Sequence, residues 1–204
     1  MPCYEVFAEA DWERIRRDWM AWWSGELDRP MVVMLAEKPP EDENQEPRKK
    51  FGTIVSSFFG MPLSFPLDTP AQKILDHYEP YLESMCYRLD AWPAWWPNCG
   101  PGIVGAFLGT EVHFSEETNT AWFTPAEELS IEDLHPVYDA CTAYWERGLG
   151  LTRAAVERWG QRVTVGLSDL GGNLDILASL CHAEELFLAM IEAPDHVERL
   201  AGEV

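Results

Sequence analysis

Short apolar runs alternate with longer amphipathic segments along this chain, and this alternation restricts its fold more than any other feature. The runs 29–37 (RPMVVMLAE) and 161–167 (QRVTVGL) have the length and composition of buried strands. Segments 12–23, 68–90, 130–160, 173–181 and the stretch from 183 onward carry apolar residues at helical spacing. Strands that alternate with longer helices predict a parallel α/β architecture.

Local signals predict where several elements begin and end. Asp11 is expected to cap the first helix, and Pro80 to kink or split the helix at 68–90. A short helix is predicted at 102–109, followed by strands at 111–115 and 120–125 joined by a turn. Ser130 with Asp133 forms a capping-box pattern at the start of 130–160, and Pro194 is expected to break the last helix.

The length of the chain suggests how much of a fold it can form. A (β/α)₈ barrel takes about 250 residues or more, whereas this chain has 204 residues and about three strands of the barrel type. We therefore predict a TIM (β/α)₈ barrel of which residues 1–204 are the N-terminal portion of a single domain, with 1–28 as a helical extension. Such a partial barrel is expected to be poorly stable alone, because its sheet edges are open.

Composition excludes several classes of partner. The net charge of −20, from 35 acidic and 15 basic residues, argues against a nucleic acid partner. The basic run Arg48-Lys49-Lys50 reads as part of a solvated loop within 38–66. No apolar run is long enough to span a membrane, and the charged N-terminus differs from a secretory signal. Five scattered cysteines without a C-x-x-C motif predict neither a disulfide framework nor a thiolate zinc site, so a cytoplasmic protein is expected.

Polar residues follow two of the predicted strands at the point where each strand ends. Asn98 follows the Trp95-Trp96 stretch, and Asp169 follows the strand at 163–167, just before two glycines. Barrel active sites lie at the carboxyl ends of the strands, so we predict Asp169 and Asn98 as catalytic residues at one rim. The candidate substrate-binding residues are Trp95, Trp96, Cys99, Gly100, Gly102, Ser168, Gly171, Gly172, Asn173 and Asp175.

Each of these residues also has an ordinary structural interpretation. Asn98 can cap a turn, the tryptophans can fill the core, and Asn173 can cap the helix that carries Asp175 in its favourable first turn. The G-x-G-x-x-G at 100–105 lacks the preceding aliphatic strand and the long helix of a dinucleotide site. No histidine pairs with an acid or a cysteine at ligand spacing, and no metal site is predicted within this chain.

The runs RPMVVML, YRLDAWPAWWPNCGPGIVGAFLG, TAWF and VTVGLSDLGGNLDILASL together resemble the uroporphyrinogen decarboxylase-like superfamily. The resemblance spans nearly the whole chain and is strongest to divergent members of that superfamily. It implies a TIM barrel with its pocket at the carboxyl ends of the strands, and porphyrin biosynthesis as one setting. The family's decarboxylases carry an arginine-containing run after the first strand, where this chain has Ala36, Glu37 and Lys38.

Three functions follow from this resemblance as expectations. The first is a lyase, a decarboxylase acting on a tetrapyrrole or another polar, acidic small-molecule substrate, without a cofactor in this chain. The second is a methyltransferase that uses zinc or a corrinoid, with a corrinoid protein as partner. The third is a barrel that binds a small acid or corrinoid without catalysis. A homodimer is also a candidate assembly.

Overall fold

A computed structural model of the chain describes residues 7–38, 61–127 and 129–204. The basic run Arg48-Lys49-Lys50 and most of the predicted excursion at 38–66 lie outside these residues. The described chain divides into two compact units. Of the described residues, the first unit comprises 7–38, 72–96 and 153–166, and the second comprises 61–71, 97–127, 129–152 and 167–204.

The first unit contains a helix, an antiparallel strand pair and a short parallel strand pair. Helix α1 (Glu9–Trp23) is followed by strand β1 (Val33–Glu37), and most of helix α2 (Ala71–Ser84) leads directly into strand β2 (Met85–Leu89). β1 pairs with β2 in antiparallel register, with Val33 opposite Leu89 and Glu37 opposite Met85. Strands β3 (Ala94–Trp95) and β6 (Thr164–Val165) pair in parallel.

The second unit combines a hairpin with a group of helices. Helix α3 (Ile103–Phe107) precedes the hairpin of β4 (Glu111–Ser115) and β5 (Thr120–Thr124), in which His113 lies opposite Trp122. Helix α4 (Ala143–Trp159) begins in this unit, and α5 (Asn173–Cys181), α6 (Ala183–Glu192) and α7 (Pro194–Glu203) complete it. The helical core of the unit includes Leu177, Leu180 and Leu200.

The predicted ends of the C-terminal helices and of the hairpin are confirmed. The helix predicted at 173–181 is α5, the next begins at Ala183, and Pro194 starts a new helix at its first position. Proline suits that position because its missing N–H has no partner there in any helix. The hairpin strands match the predicted 111–115 and 120–125 to within one residue.

Two predicted helices differ from the structure. The helix predicted at 68–90 ends at Ser84, because residues 85–89 pair with β1 as a strand, and Pro80 lies within the helix. The helix predicted at 130–160 begins at Ala143, and Ser130 with Asp133 starts only a short turn of 3₁₀ helix. The helical conformation is disfavoured for a residue that precedes proline. His135, which precedes Pro136, therefore does not continue the turn as a helix.

The amino end of α1 departs from the prediction in detail. Ala8 is the residue before the helix, and Asp11 lies three positions further on. The Asp11 carboxylate accepts a hydrogen bond from the Ala8 N–H at 2.9 Å, so it still satisfies a backbone donor at the helix start. Among the described helices, none is both long and apolar enough to cross a membrane.

Candidate functional site

The parallel pair β3–β6 gives two strand ends that point in the same direction. Ala94 lies opposite Thr164 and Trp95 opposite Val165. The Gly166 N–H donates to the Trp95 carbonyl at 2.8 Å, which extends the ladder beyond the last paired residues. In a parallel pair both carboxyl ends open at one edge, so the chain leaves β3 and β6 on the same side.

The loops that follow these strands lie side by side in the second unit. The Ser168 hydroxyl donates to the Pro97 carbonyl at 3.0 Å. Further along, a Cβ added to Gly171 would lie 3.0 Å from the Pro101 carbonyl oxygen, which shows how closely the two backbones approach. The predicted neighbours Asn98 and Asp169 therefore belong to loops that are in direct contact.

Each loop contains the same kind of turn. The Asn98 side-chain oxygen accepts from the Gly100 N–H at 3.2 Å, and the Asp169 carboxylate accepts from the Gly171 N–H at 3.0 Å. Gly100 and Gly171 have φ angles of 85° and 65°, a conformation that favours glycine. Short side chains that bond the backbone two residues on are typical of such turns. The turn interpretation of Asn98 is therefore confirmed, and it holds for Asp169 as well.

The loops offer acceptors and no cations. Asp169 and Asp175 are exposed, whereas Asn98 and Ser168 are half-buried. Neither 97–110 nor 166–182 contains a lysine or an arginine. The exposed carboxylates of these loops would therefore attract an N–H or O–H donor or a cation rather than a ligand carboxylate.

The tryptophans of β3 have different surroundings. Trp95 is 1% exposed, and its ring contacts those of Tyr78 and Trp159 at centroid distances of 5.5 and 5.2 Å. Trp96 is half-buried. A Cβ added to Gly166 would lie 3.2 Å from the Cβ of Trp96. Trp95 thus lies in the core of the first unit, while Trp96 keeps part of its surface open to solvent.

Gly102 meets a steric rather than a conformational requirement. Its φ of −99° is open to any residue, but an added Cβ would lie 2.3 Å from the Phe123 ring. The ring belongs to β5 of the hairpin. Close packing of this ring on the loop at 97–102 therefore requires glycine.

The residues at the start of α5 do not all act as predicted. Gly172 is the residue before the helix, and Asn173 is its first residue, without a side-chain cap. The predicted capping role of Asn173 is therefore wrong. Its side-chain amide instead donates to the Ala201 carbonyl at 2.6 Å and ties α5 to α7. Asp175 lies in the first turn as predicted, with its carboxylate 3.1 Å from a Cβ added to Gly172.

The Cys99 thiol is buried beside these turns. It is 2% exposed, and burial raises its pKa to about 12, with the Arg147 guanidinium acting in the opposite direction. At pH 8 on the order of one thiol in 10⁴ with such a pKa is ionised. Cys99 is therefore poorly suited to nucleophilic chemistry, which requires the thiolate.

This burial predicts the order in which the cysteines react. In the native protein at pH 8 we expect iodoacetamide to modify the exposed Cys141 at least about 100-fold faster than Cys99, because a buried thiol is both protonated and inaccessible. Peptide mass spectrometry over a time course measures both rates. The same chain in denaturant is the control, and there the rates should converge. Equal rates in the native protein would show that the loop at 97–102 opens readily.

A buried carboxylate near β3 was not predicted as part of any site. Asp90 is 1% exposed and accepts two hydrogen bonds of 2.7 Å from Arg29 and one of 2.8 Å from the Val32 N–H. The Arg29 hydrogen bonds keep the pKa of Asp90 below its ordinary value, although burial alone would raise it. Asp90 lies between β2 and β3 in the chain, within the first unit.

Two histidines of the second unit have polar partners within that unit. His113 contacts the Thr124 hydroxyl at 2.8 Å and stacks on Trp122, and His196 contacts the Ile131 carbonyl at 3.0 Å. Within the described residues there is no group of three or more His, Cys, Asp or Glu side chains placed to hold a metal ion.

The chain matches no protein-family model, no curated protein and no solved structure.

Proposed function

We propose that this chain forms part of the barrel of an enzyme of the uroporphyrinogen decarboxylase-like type, a lyase that removes a substrate carboxyl group as CO₂. One observation carries the proposal. β3 and β6 pair in parallel, and the loops that follow them meet through the Ser168–Pro97 hydrogen bond. That arrangement supports a ligand site on these two loops. Scattered cysteines without a C-x-x-C motif support action in the cytoplasm.

In this proposal Asp169 acts by charge and Asn98 by orientation. The Gly171 N–H holds one oxygen of the exposed Asp169 carboxylate, which leaves the other oxygen to face a ligand. An electron-rich ring bearing a carboxymethyl group becomes cationic when it is protonated. A fixed carboxylate stabilises that cation. Asn98, on the adjoining loop, would direct the ring by hydrogen bonding.

The bond changes of the proposed step balance with one proton. Cleavage of the bond between the methylene carbon and the carboxylate leaves its electron pair with the ring and methylene carbons as CO₂ departs. The methylene carbon then takes a proton and becomes a methyl group, and the proton that activated the ring is released. The net change is the loss of CO₂ and the uptake of one proton from water, without an oxidant or a reductant.

The charge of the two loops favours one orientation of the substrate. Asp169 and Asp175 are acidic, and neither 97–110 nor 166–182 contains a lysine or an arginine. Substrate carboxylates would be repelled here, whereas N–H donors would be bound. We therefore place the N–H edge of the ring against the loops and the remaining carboxylates away from them.

The test is the substitution Asp169→Asn. The amide can keep the bond to the Gly171 N–H, so the turn should persist while the charge is lost. We expect kcat/KM for CO₂ release from a porphyrinogen to fall about 10- to 100-fold, because electrostatic stabilisation of the transition state is lost. The measurement is trapping of labelled CO₂ from carboxyl-labelled substrate. Thermal denaturation should show little change in stability.

A matched control exists in another loop of the second unit. The Asp139 carboxylate accepts from the Cys141 N–H at 2.8 Å, in a turn of the same kind. Asp139→Asn should leave kcat/KM unchanged. Absence of CO₂ release by the unaltered protein would refute the lyase proposal. Binding of the porphyrinogen without turnover, seen by thermal shift, would favour a barrel that binds its ligand without catalysis.

A further inference from the structure

Three large apolar side chains are exposed in and beside the turn that contains Asp169. Leu167, Leu170 and Leu174 expose 73%, 59% and 44% of their surface. Single exposed leucines are common on proteins, whereas three within eight consecutive residues are more typical of a binding surface. We define the leucine loop as residues 167–175, all of which belong to the second unit.

The core of the second unit does not account for these leucines. On α5, Ile176, Leu177 and Leu180 are buried and pack in a core cluster with residues of α6 and α7. That cluster includes none of the three exposed leucines, either as buried or as partly buried members. Their exposure therefore has an explanation other than the packing of these helices.

The polar side chains of the leucine loop restrict what can cover it. The Asp169 carboxylate accepts from the Gly171 N–H at 3.0 Å, and the Asp175 carboxylate lies 3.1 Å from a Cβ added to Gly172. An apolar ligand over these exposed carboxylates would remove their water at a cost, unless it donates a hydrogen bond in return. A ligand carboxylate would meet like charges, because 166–182 contains no lysine or arginine.

We propose that the leucine loop binds a flat, alkyl-substituted nitrogen heterocycle through its N–H edge, with no carboxylate on that edge. The inference rests on the proposed function for the place of the site, and it adds the class of substrate. The leucines contact the ring and its alkyl groups, and Asp169 accepts from the ring N–H. Apolar walls with a few placed polar groups are the usual composition of small-molecule sites. The carboxyl group that leaves as CO₂ then lies on the ring edge away from the loop.

Charge favours such a ligand over a second copy of the chain. Two leucine loops packed together would bring Asp169 and Asp175 of one copy near the same acids of the other, without a basic residue of 166–182 to pair with them. A heterocycle with an N–H donor covers the leucines and satisfies a carboxylate at the same time. The ligand is therefore a small molecule that is neutral or cationic at the edge facing the loop.

NMR chemical-shift mapping of the isotope-labelled 204-residue chain tests the proposal with three indoles as probes. Skatole has an apolar ring, a methyl group and an N–H, its N-methyl derivative lacks the N–H, and indole-3-acetate adds a carboxylate. We expect skatole to shift the amide signals of 167–175 with a Kd on the order of 1 mM. The N-methyl derivative should bind at least about threefold more weakly, and indole-3-acetate at least about tenfold more weakly.

Leu170→Ser should weaken skatole binding at least about threefold, because apolar contact area is lost. Leu188→Ser is the matched control, since Leu188 is 55% exposed in the same unit but lies in α6, outside the leucine loop. It should leave the Kd unchanged. Asp169→Asn should reduce the difference in Kd between skatole and indole-3-acetate, because one repelling charge is removed. Circular dichroism should show all three variants folded.

Indole-3-acetate binding as tightly as skatole would overturn the proposal, as would unshifted signals at 167–175 or a Leu170→Ser variant that binds as before. Self-association in sedimentation velocity that Leu170→Ser abolishes would also contradict it, because the leucines would then form an interface between copies. Selective binding of skatole without CO₂ release from a porphyrinogen would refute the lyase and support this ligand class. CO₂ release without a preference among the probes would support the lyase and refute the ligand class.

Discussion

Replacing Trp95 by alanine is expected to lower the free energy of unfolding by about 3–5 kcal/mol. The side chain is 1% exposed and packs against Tyr78 and Trp159 in the first unit. Removal of the indole leaves a large cavity, and the surrounding rings can fill it only in part. Urea denaturation followed by circular dichroism measures the change, with a fall in melting temperature of roughly 10 °C as the thermal counterpart.

Trp96→Ala is the comparison that separates packing from ligand binding. Trp96 is next to Trp95 in the sequence but half-buried, so its removal should cost less than half as much stability. If Trp96 binds substrate, as the sequence predicts, its loss should raise KM more than it alters stability. A stability loss for Trp95→Ala below about 1 kcal/mol would mean that the ring is not part of a packed core, and its predicted role as a pocket wall would gain support.

The sequence predicts the C-terminal helices well because their signals are local. The start of α5 follows from the two glycines before it, and the start of α7 follows from Pro194. The hairpin is equally local, since β4 and β5 are joined by four residues that include Asn119 at a φ of 48°. Short-range chemistry suffices in these cases.

Strand β2 could not be predicted in this way. Met85, Cys86 and Leu89 continue the apolar stripe of α2, so the periodicity alone favours a longer helix. Pairing with β1 decides the outcome, and that partner is about 50 residues away in the chain. Tertiary pairing of this kind overrides local propensity. The TIM barrel predicted for the chain remains a prediction.

The sequence predicts which residues of the candidate site form turns, but it does not predict which side chains pack around Trp95. Asn98 and Asp169 each precede a glycine by two residues, a spacing that is visible in the sequence and gives the observed turns. The burial of Trp95, by contrast, depends on Tyr78 and Trp159, which no local pattern places around it. The pair Arg29 and Asp90, separated by 61 positions, was missed for the same reason.

That pair gives the second large effect. Asp90→Asn is expected to lower the free energy of unfolding by about 2–3 kcal/mol. Asp90 is buried and accepts two bonds from Arg29 and one from the Val32 N–H. The asparagine side chain has only one oxygen. Its NH₂ group would therefore face one of the two Arg29 N–H donors. The cost is lower than for a fully buried pair, because Arg29 is 42% exposed and can be hydrated.

Acid titration gives an independent check of the same contact, with a sign that follows from the pKa. The Arg29 hydrogen bonds lower the pKa of Asp90 from its ordinary value of 3.8. The pair therefore contributes its full stability above about pH 4 and loses it as the pH falls through the lowered pKa of the folded state. The stability difference between the unaltered chain and Asp90→Asn should be constant from pH 7 to 5 and shrink below pH 4.

Asp18→Asn is the matched control, because Asp18 accepts from the same arginine at 3.1 Å but is more exposed. It should cost under about 1 kcal/mol, and an equal cost for both variants would show that the burial of Asp90 adds nothing to the pair.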